Sequence, residues 1–264
     1  PSPSWRSEAV YTNLDSVSFP DLAWEYLRRN PVYNKKFADF KKFGAKLIWM
    51  LSLNAGVCDF PADPRKTAEQ QPIYWSAIAS VEVLTLSPLP PSWLPSSDFV
   101  WPAIASMRRA ADGRHLYVGQ QRQQVWLINH PLPNAAHGVL IPLDNTLPQR
   151  LAAAAAFWRM LNGKPQLRAS AATTHRRSRL ILGLRALDGR EAGASYRELA
   201  QGIFGVVRVP DGRAWKTHDL RSRVVRLVAD ASALRDGGYR VLLRSAPAFK
   251  PDGGVPFSKA PTSN

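Results

Sequence analysis

The chain has 264 residues, of which 45% are hydrophobic and 21% charged, values typical of a globular protein. Its one cysteine, Cys58, excludes an internal disulfide scaffold. The apolar runs at residues 47–53 and 151–158 are far shorter than the roughly 18 residues of a membrane span, and the N-terminal residues lack the basic-then-apolar order of a signal peptide. We therefore expect a cytoplasmic protein that has no contact with membranes.

The basic residues are concentrated in the C-terminal part of a chain whose formal net charge is +15. Residues 1–150 contain 15 Lys or Arg against 12 Asp or Glu, whereas residues 151–264 contain 20 against 8, and 16 of those 20 are Arg. Guanidinium groups match phosphate oxygens and the guanine edge. The distribution therefore favours a polyanionic partner, double-stranded DNA first; the alternative is a solvated arginine-rich surface.

The N-terminal region is predicted to be helical. Ser18, Pro20 and Asp21 supply an N-cap, a first-turn proline and an acid near the positive end of the helix dipole. Residues 22–27 carry an apolar face, and the Asn-Pro pair at 30–31 ends the helix.

A basic stretch with interleaved phenylalanines follows at residues 35–46. It has two interpretations, a nucleic-acid patch or the polar side of an amphipathic helix that continues into residues 47–53.

The middle of the chain predicts strands. Residues 81–86 alternate as a strand does, and the Pro-rich residues 87–97 indicate a loop. A turn signal at Asp112-Gly113 opens a meander, for which we expect a small antiparallel sheet. Its strands are predicted at residues 115–118, 125–128 and 139–141.

Two helices are predicted next. Thr146 is the expected N-cap of the first, which ends at residues 162–163. Its expected core face consists of Leu151, Ala154, Ala155, Trp158 and Leu161. The second helix is predicted at residues 175–187 and ends at Asp188-Gly189.

A pair of helices separated by a loop follows. Ser195 and Glu198 form a capping box for a helix that ends at Gly205. A further helix is predicted from Thr217 to Asp230. Residues 239–243 predict a strand or wing, and the Pro-, Gly- and Ser-rich residues 247–264 predict a disordered tail.

The helix at 217–230 has the pattern of a major-groove reader. At about 100° per residue, its apolar residues cluster on one side and its Arg, Ser and His residues on the other, so one face could anchor while the other reaches base edges. The candidate base contacts are His218, Ser222, Arg223 and Arg226. The candidate phosphate contacts are Arg197, Arg213, Lys216, Thr217 and Arg221. The alternative is an ordinary solvated helix.

The strings Leu-Arg-Ala-Leu-Asp-Gly-Arg at 184–190 and Gly-Ala-Ser-Tyr-Arg-Glu-Leu-Ala at 193–200 resemble a helix-turn-helix variant of proteobacterial regulators. These regulators include FseA-type activators of integrative and conjugative elements, QseM-type antiactivators and the RovC-type activator of type VI secretion. The string Ala-Trp-Glu-Tyr-Leu-Arg-Arg-Asn-Pro at 23–31 is similar to the domain that precedes the module in FseA-type proteins. One departure from the family pattern is Ala231, where a glycine is expected after Asp230. This substitution affects the geometry expected for the wing.

The resemblance covers roughly residues 15–245 and implies a DNA-binding transcriptional activator of mobile-element or secretion genes. The implied partners are promoter DNA, an antiactivator protein, RNA polymerase and further copies of the chain. The alternatives are an antiactivator or adaptor that uses the same module on another regulator, and a binder of nucleic acid without sequence preference. We expect an α+β, mainly helical fold with four regions, at residues 1–105, 106–163, 164–246 and 247–264.

No catalytic pattern is evident in the sequence. Cys58 has no histidine at a recognised spacing, and one cysteine cannot build a zinc ribbon. The Gly-Ala-Ser string at 193–195 lacks the glycine that a nucleophile elbow needs after its serine. The histidines are scattered, and no Walker or dinucleotide loop occurs. We therefore predict a protein that is not an enzyme and binds neither a metal nor a cofactor.

Overall fold

The computed structural model describes residues 5–43, 57–90, 92, 101–120, 122–129, 136–165 and 171–245. The N-terminal half contains a 3₁₀ helix at Glu8–Asp15, α1 (Phe19–Leu27), α2 (Pro31–Phe43), β1 (Leu84–Pro88), β2 (Ile104–Ala110), β3 (Gly113–Val118), β4 (Gln123–Ile128) and β5 (His137–Leu140). The C-terminal half contains α3 (Leu147–Leu161), α4 (Ala171–Glu191), α5 (Tyr196–Phe204), α6 (Asp219–Ala233) and α7 (Arg240–Leu243). This arrangement confirms an α+β, mainly helical fold.

Helix α1 begins where the sequence predicts. The Asp21 amide donates to the Ser18 hydroxyl at 3.1 Å, and the Ser18 amide donates to the Asp21 carboxylate at 3.3 Å. This reciprocal capping box satisfies two donors that the first turn would otherwise leave free. Almost the whole helix is buried, because it packs against helices from the C-terminal half.

Helix α2 contains the first part of the basic stretch. Lys41 and Lys42 are exposed in its last turn, whereas Phe37 is buried, as the amphipathic interpretation requires. The expected continuation into residues 47–53 lies outside the described residues, as does most of the predicted loop at 87–97.

The sheet has the strand order β2-β3-β4-β1-β5. The antiparallel pairing predicted for the meander is present between β3 and β4, but the sheet is mixed, since β1 pairs with β4 in parallel, with Leu84 beside Val125. A strand from outside the meander is inserted between two of its members, which short-range patterns do not reveal. Strand β2 was missed because almost all of its side chains are exposed, so it shows no apolar alternation.

Gly113 is required at the β2–β3 turn. Its φ is +149°, and a β-carbon there would lie 2.0 Å from the Leu127 carbonyl oxygen. The turn predicted at Asp112-Gly113 is therefore confirmed, together with its physical reason.

Helix α3 has its predicted bounds but buries a different face. Ala152, Ala153 and Phe157 are buried, whereas Leu151 and Trp158 are 49% and 52% exposed. The run of five alanines gives the helix no strong periodicity, so the predicted core face was wrong for Leu151 and Trp158, although Ala154 and Leu161 do pack against the core. Thr146 is the N-cap residue as predicted, but its side chain makes no cap hydrogen bond. The Thr146 hydroxyl instead donates to Asp144 at 2.5 Å and accepts from Arg150 at 2.9 Å.

Helix α4 continues past the predicted stop at Asp188-Gly189 and ends at Glu191. Gly189 is there for close packing: a β-carbon would lie 2.4 Å from Leu199 and 3.0 Å from Trp5. A glycine that normally signals a helix end is thus used inside a helix, because two other elements approach it.

The predicted strand or wing at residues 239–243 was wrong, since α7 occupies this position. Tyr239, Leu242 and Leu243 are buried in the cluster that contains α1, with the spacing of a helix. Ala231, placed where a glycine was expected, lies inside α6, and a β-carbon on Gly183 would come within 3.2 Å of its methyl group. The predicted disordered tail lies outside the described residues. None of the helices in the described ranges is long and apolar enough to cross a membrane.

Candidate nucleic-acid interface

Helices α5 and α6 are joined through residues 205–218 and pack against α4; the two helices and this segment are called the α5–α6 unit. The Ser195 amide donates to the Glu198 carboxylate at 2.8 Å, and the Glu198 amide donates to the Ser195 hydroxyl at 3.3 Å, which confirms the predicted capping box. Gly205 ends α5 with a φ of +94°. The hydrophobic cluster of this unit includes Leu199 and Val224, both fully buried.

Trp5, from the opposite end of the chain, completes this cluster. It is only 4% exposed, and a β-carbon on Gly202 would lie 2.4 Å from its ring. The buried guanidinium of Arg185 fixes the segment, because it donates to the carbonyl oxygens of Trp5 (3.3 Å), Arg6 (3.3 Å) and Gly202 (3.1 Å). Sequence reasoning missed Trp5, since an isolated tryptophan in a Pro- and Ser-rich segment has no periodicity to place it.

A buried ion pair ties α1 to α4. Arg29 donates to both carboxylate oxygens of Asp188, at 2.6 and 2.8 Å, and to Glu25 at 2.8 Å. The Tyr11 hydroxyl also donates to Asp188, at 2.6 Å. Burial raises the pKa of the Tyr11 hydroxyl, and the charge of Asp188 raises it further. The N-terminal helices and the α5–α6 unit are therefore held in one orientation.

Helix α6 starts two residues later than predicted. His218 is its N-cap, and its ring Nδ1 accepts from the Leu220 amide at 3.3 Å. Thr217 instead closes a 3₁₀ helix at Gly212–Thr217. The His218 ring also stacks on Trp215 at 6.4 Å between centroids. His218 thus has a structural role at the position from which it was expected to contact a base.

The two faces of α6 are distinct. Leu220, Val224 and Ala231 are buried. At about 100° per residue, the outermost line opposite them runs through Ser222 and Arg226, both of which are exposed. Arg223 lies to one side of that line, where its guanidinium carbon is 5.0 Å from the centre of the Phe204 ring.

The candidate phosphate contacts differ in how free their charges are. Arg197 pairs with Asp211 and donates to the Pro210 carbonyl oxygen at 3.4 Å, so part of its charge is already compensated. Arg213, Lys216 and Arg221 are exposed. Their side chains make no hydrogen bond or ion pair with another residue of the described ranges.

A cleft of about 590 Å³ opens beside α6. Its polar lining combines α4 with α6, and Phe204 of α5 also lines it. The lining includes His175, Ser178, Arg179, Phe204, Arg223 and Arg226. The α4 residues of this cleft were missed because the sequence of α4 was interpreted only through its apolar face. Within the described ranges, no group of three or more His, Cys, Asp or Glu side chains is arranged to hold a metal ion.

Two family models match parts of this chain. Residues 140–244 match the RovC DNA-binding domain, described as "T6SS, Transcription factor, DNA binding domain". Residues 4–54 match the "Proteobacterial transcriptional regulator-like domain". The chain carries the domains of a transcriptional regulator. The two matches support the RovC-type regulator family and support DNA as a partner.

The first match begins at residue 140 and so includes α3 as well as the α5–α6 unit of this regulator. The second includes Trp5, Tyr11 and Arg29, the residues that pack on or pair with the C-terminal half. Searches of curated proteins and of solved structures found no match.

Proposed function

We propose that the protein is a sequence-reading transcriptional activator that places α6 in the major groove of promoter DNA. The single observation that carries this proposal is the exposed line of Ser222 and Arg226 on a helix whose opposite face is buried. An α-helix fits the major groove, and an Arg side chain can donate to the O6 and N7 atoms of guanine together. We assign base contacts to Ser222 and Arg226, since the ring of His218 is engaged as a cap.

Phosphate contacts in this proposal come from the start of α6 and the 3₁₀ helix before it. Arg213, Lys216, Thr217 and Arg221 are exposed there. The helix N-terminus adds its own attraction for anions. Arg197 contributes less, because Asp211 already holds its guanidinium.

The proposed activator role depends on how the two halves are joined. The buried pair of Arg29 and Asp188 fixes α1 on α4, so a protein that contacts the N-terminal region would be held at a defined position on the promoter. We propose RNA polymerase as the protein that makes this contact. We propose mobile-element transfer or secretion genes as the targets, in keeping with the resemblance to FseA- and RovC-type regulators.

A second candidate function is an antiactivator or adaptor that binds another regulator through the same module. The turn after α5 favours it, since Val207 is fully exposed and Val206 is 68% exposed. Adjacent exposed apolar side chains are typical of a protein contact.

The test is a fluorescence anisotropy titration of the full chain on DNA from upstream of neighbouring mobile-element genes and on a shuffled copy, at two salt concentrations. The full chain is required because Trp5 belongs to the hydrophobic cluster of the α5–α6 unit. Tighter binding to the native fragment, with affinity that falls steeply as salt rises, supports a sequence-reading regulator. Equal binding to both fragments indicates a non-specific binder. The absence of binding to either fragment would favour the antiactivator, which a search for its protein partner would then test.

A further inference from the structure

The cleft beside α6 combines cationic side chains with an apolar floor. Arg179 comes from α4, Arg223 and Arg226 come from α6, and the floor is formed by Leu182, Phe204 and Leu227. Guanidinium groups bind phosphate oxygens, and the floor offers a surface on which a sugar ring can pack. Such a lining suits an anion that is attached to an uncharged ring.

The cleft lies on one flank of the proposed recognition helix. Arg226 borders both the cleft and the outermost line of α6, whereas Arg223 lies about 100° around the helix from Ser222 and faces Phe204. The sugar–phosphate strands border the major groove on both sides of a helix that lies in it. One strand would therefore pass along this cleft.

We infer that the cleft holds the sugar–phosphate backbone of one DNA strand, with Arg179 and Arg223 on its phosphates. The inference rests on the proposed function and extends the DNA interface from α6 to the N-terminal half of α4. It also places Arg223 among the phosphate contacts instead of the base contacts. In this arrangement, α4 fixes the register of the protein on the duplex, as phosphate contacts do.

Arg179 forms an ion pair with Asp230, and the inference predicts what happens when this pair is broken. Their side chains are 2.6 Å apart and are 64% and 54% exposed, so the pair is exposed to water and is weak. A phosphate can therefore take the place of Asp230 at the Arg179 guanidinium. Asp230 competes with DNA, and its removal should strengthen binding.

The experiment measures the affinity of the full chain for DNA across a salt series, for the wild type and three variants. Arg179→Ala should reduce the slope of log affinity against log salt by about 0.9, the value for one phosphate contact, equally on native and shuffled DNA. Asp230→Asn should bind several-fold more tightly than the wild type. Arg176→Ala removes the same charge from the same helix outside this cleft and should leave the slope nearly unchanged.

The outcomes separate the inference from the proposed function. If the wild type binds no DNA, both are refuted. If the wild type binds and Arg179→Ala keeps the wild-type slope, the cleft takes no phosphate and only the inference is lost. If Arg179→Ala and Asp230→Asn weaken binding equally, the pair serves only to brace α4 against α6, which also overturns the inference. A loss confined to native DNA would move Arg179 to base recognition and refute the backbone assignment.

Discussion

Replacement of Trp5 by alanine should destabilise the α5–α6 unit, although the residue lies at the opposite end of the sequence. A buried tryptophan removes about 150–250 Å² from water, which at roughly 25 cal/mol per Å² corresponds to about 4–6 kcal/mol. Trp5 is 4% exposed and lies against Gly189 and Gly202, so almost all of its side-chain surface is buried in the folded protein. Measured replacements of buried Phe or Trp cost about 3–5 kcal/mol, and we expect a value in that range for Trp5→Ala.

The assay is urea unfolding of the full chain, followed by circular dichroism, with a second tryptophan as the control. Trp158→Ala removes the same side chain from α3, where it is 52% exposed, and by the same area arithmetic should cost about half as much, roughly 2–3 kcal/mol. An unfolding free energy of Trp5→Ala within about 1 kcal/mol of the wild type would refute the reasoning, because the ring could not then be part of the core. The same packing predicts that a fragment of residues 165–246 fails to fold by itself.

Three further outcomes are expected. Asp188→Asn removes one of the two carboxylates that pair with the buried Arg29 and leaves it only Glu25, and should lower the free energy of unfolding by about 3–5 kcal/mol; the exposed Asp211→Asn, measured in the same urea assay, should have little effect. Arg226→Ala should cost about 1–3 kcal/mol of binding free energy at one base position; uniform weakening over a set of single-base operator variants would contradict its role as a base reader. Burial raises the pKa of Glu82 from its ordinary 4.5 to about 8, so stability present below pH 4.5 should be lost as the pH rises through 8. Between pH 5 and 8 the urea midpoint of the wild type should therefore fall relative to that of Glu82→Gln. The same pH dependence of the midpoint in both proteins would contradict the raised pKa of Glu82.

The sequence predicted those features that depend on near neighbours. Both capping boxes, Ser18 with Asp21 and Ser195 with Glu198, are formed as expected, since a cap is determined within four residues. The apolar and polar faces of α6 were also predicted, because period 3.6 is a local signal.

The missed features depend on contacts between distant parts of the chain. Gly189 is kept inside α4 by Trp5 and Leu199, and nothing near it in the sequence indicates this. In the segment that forms α7, Tyr239 and Leu242 suit a strand or a helix equally well over so short a length; packing against α1 decides the outcome. The candidate site shows the same division, since its α6 residues were predicted and Arg179 of α4 was not.

The shared core of the two matched segments also constrains how such a regulator can diversify. Residues 4–54 supply Trp5, Tyr11 and Arg29, and residues 140–244 supply Gly202 and Asp188, which receive them. A recombination event that exchanged only one segment between distant relatives would join a tryptophan to a site without glycines, or a buried arginine to a site without a carboxylate. The two segments are therefore expected to be inherited as a unit, with compensating substitutions at these positions, even though separate family models describe them.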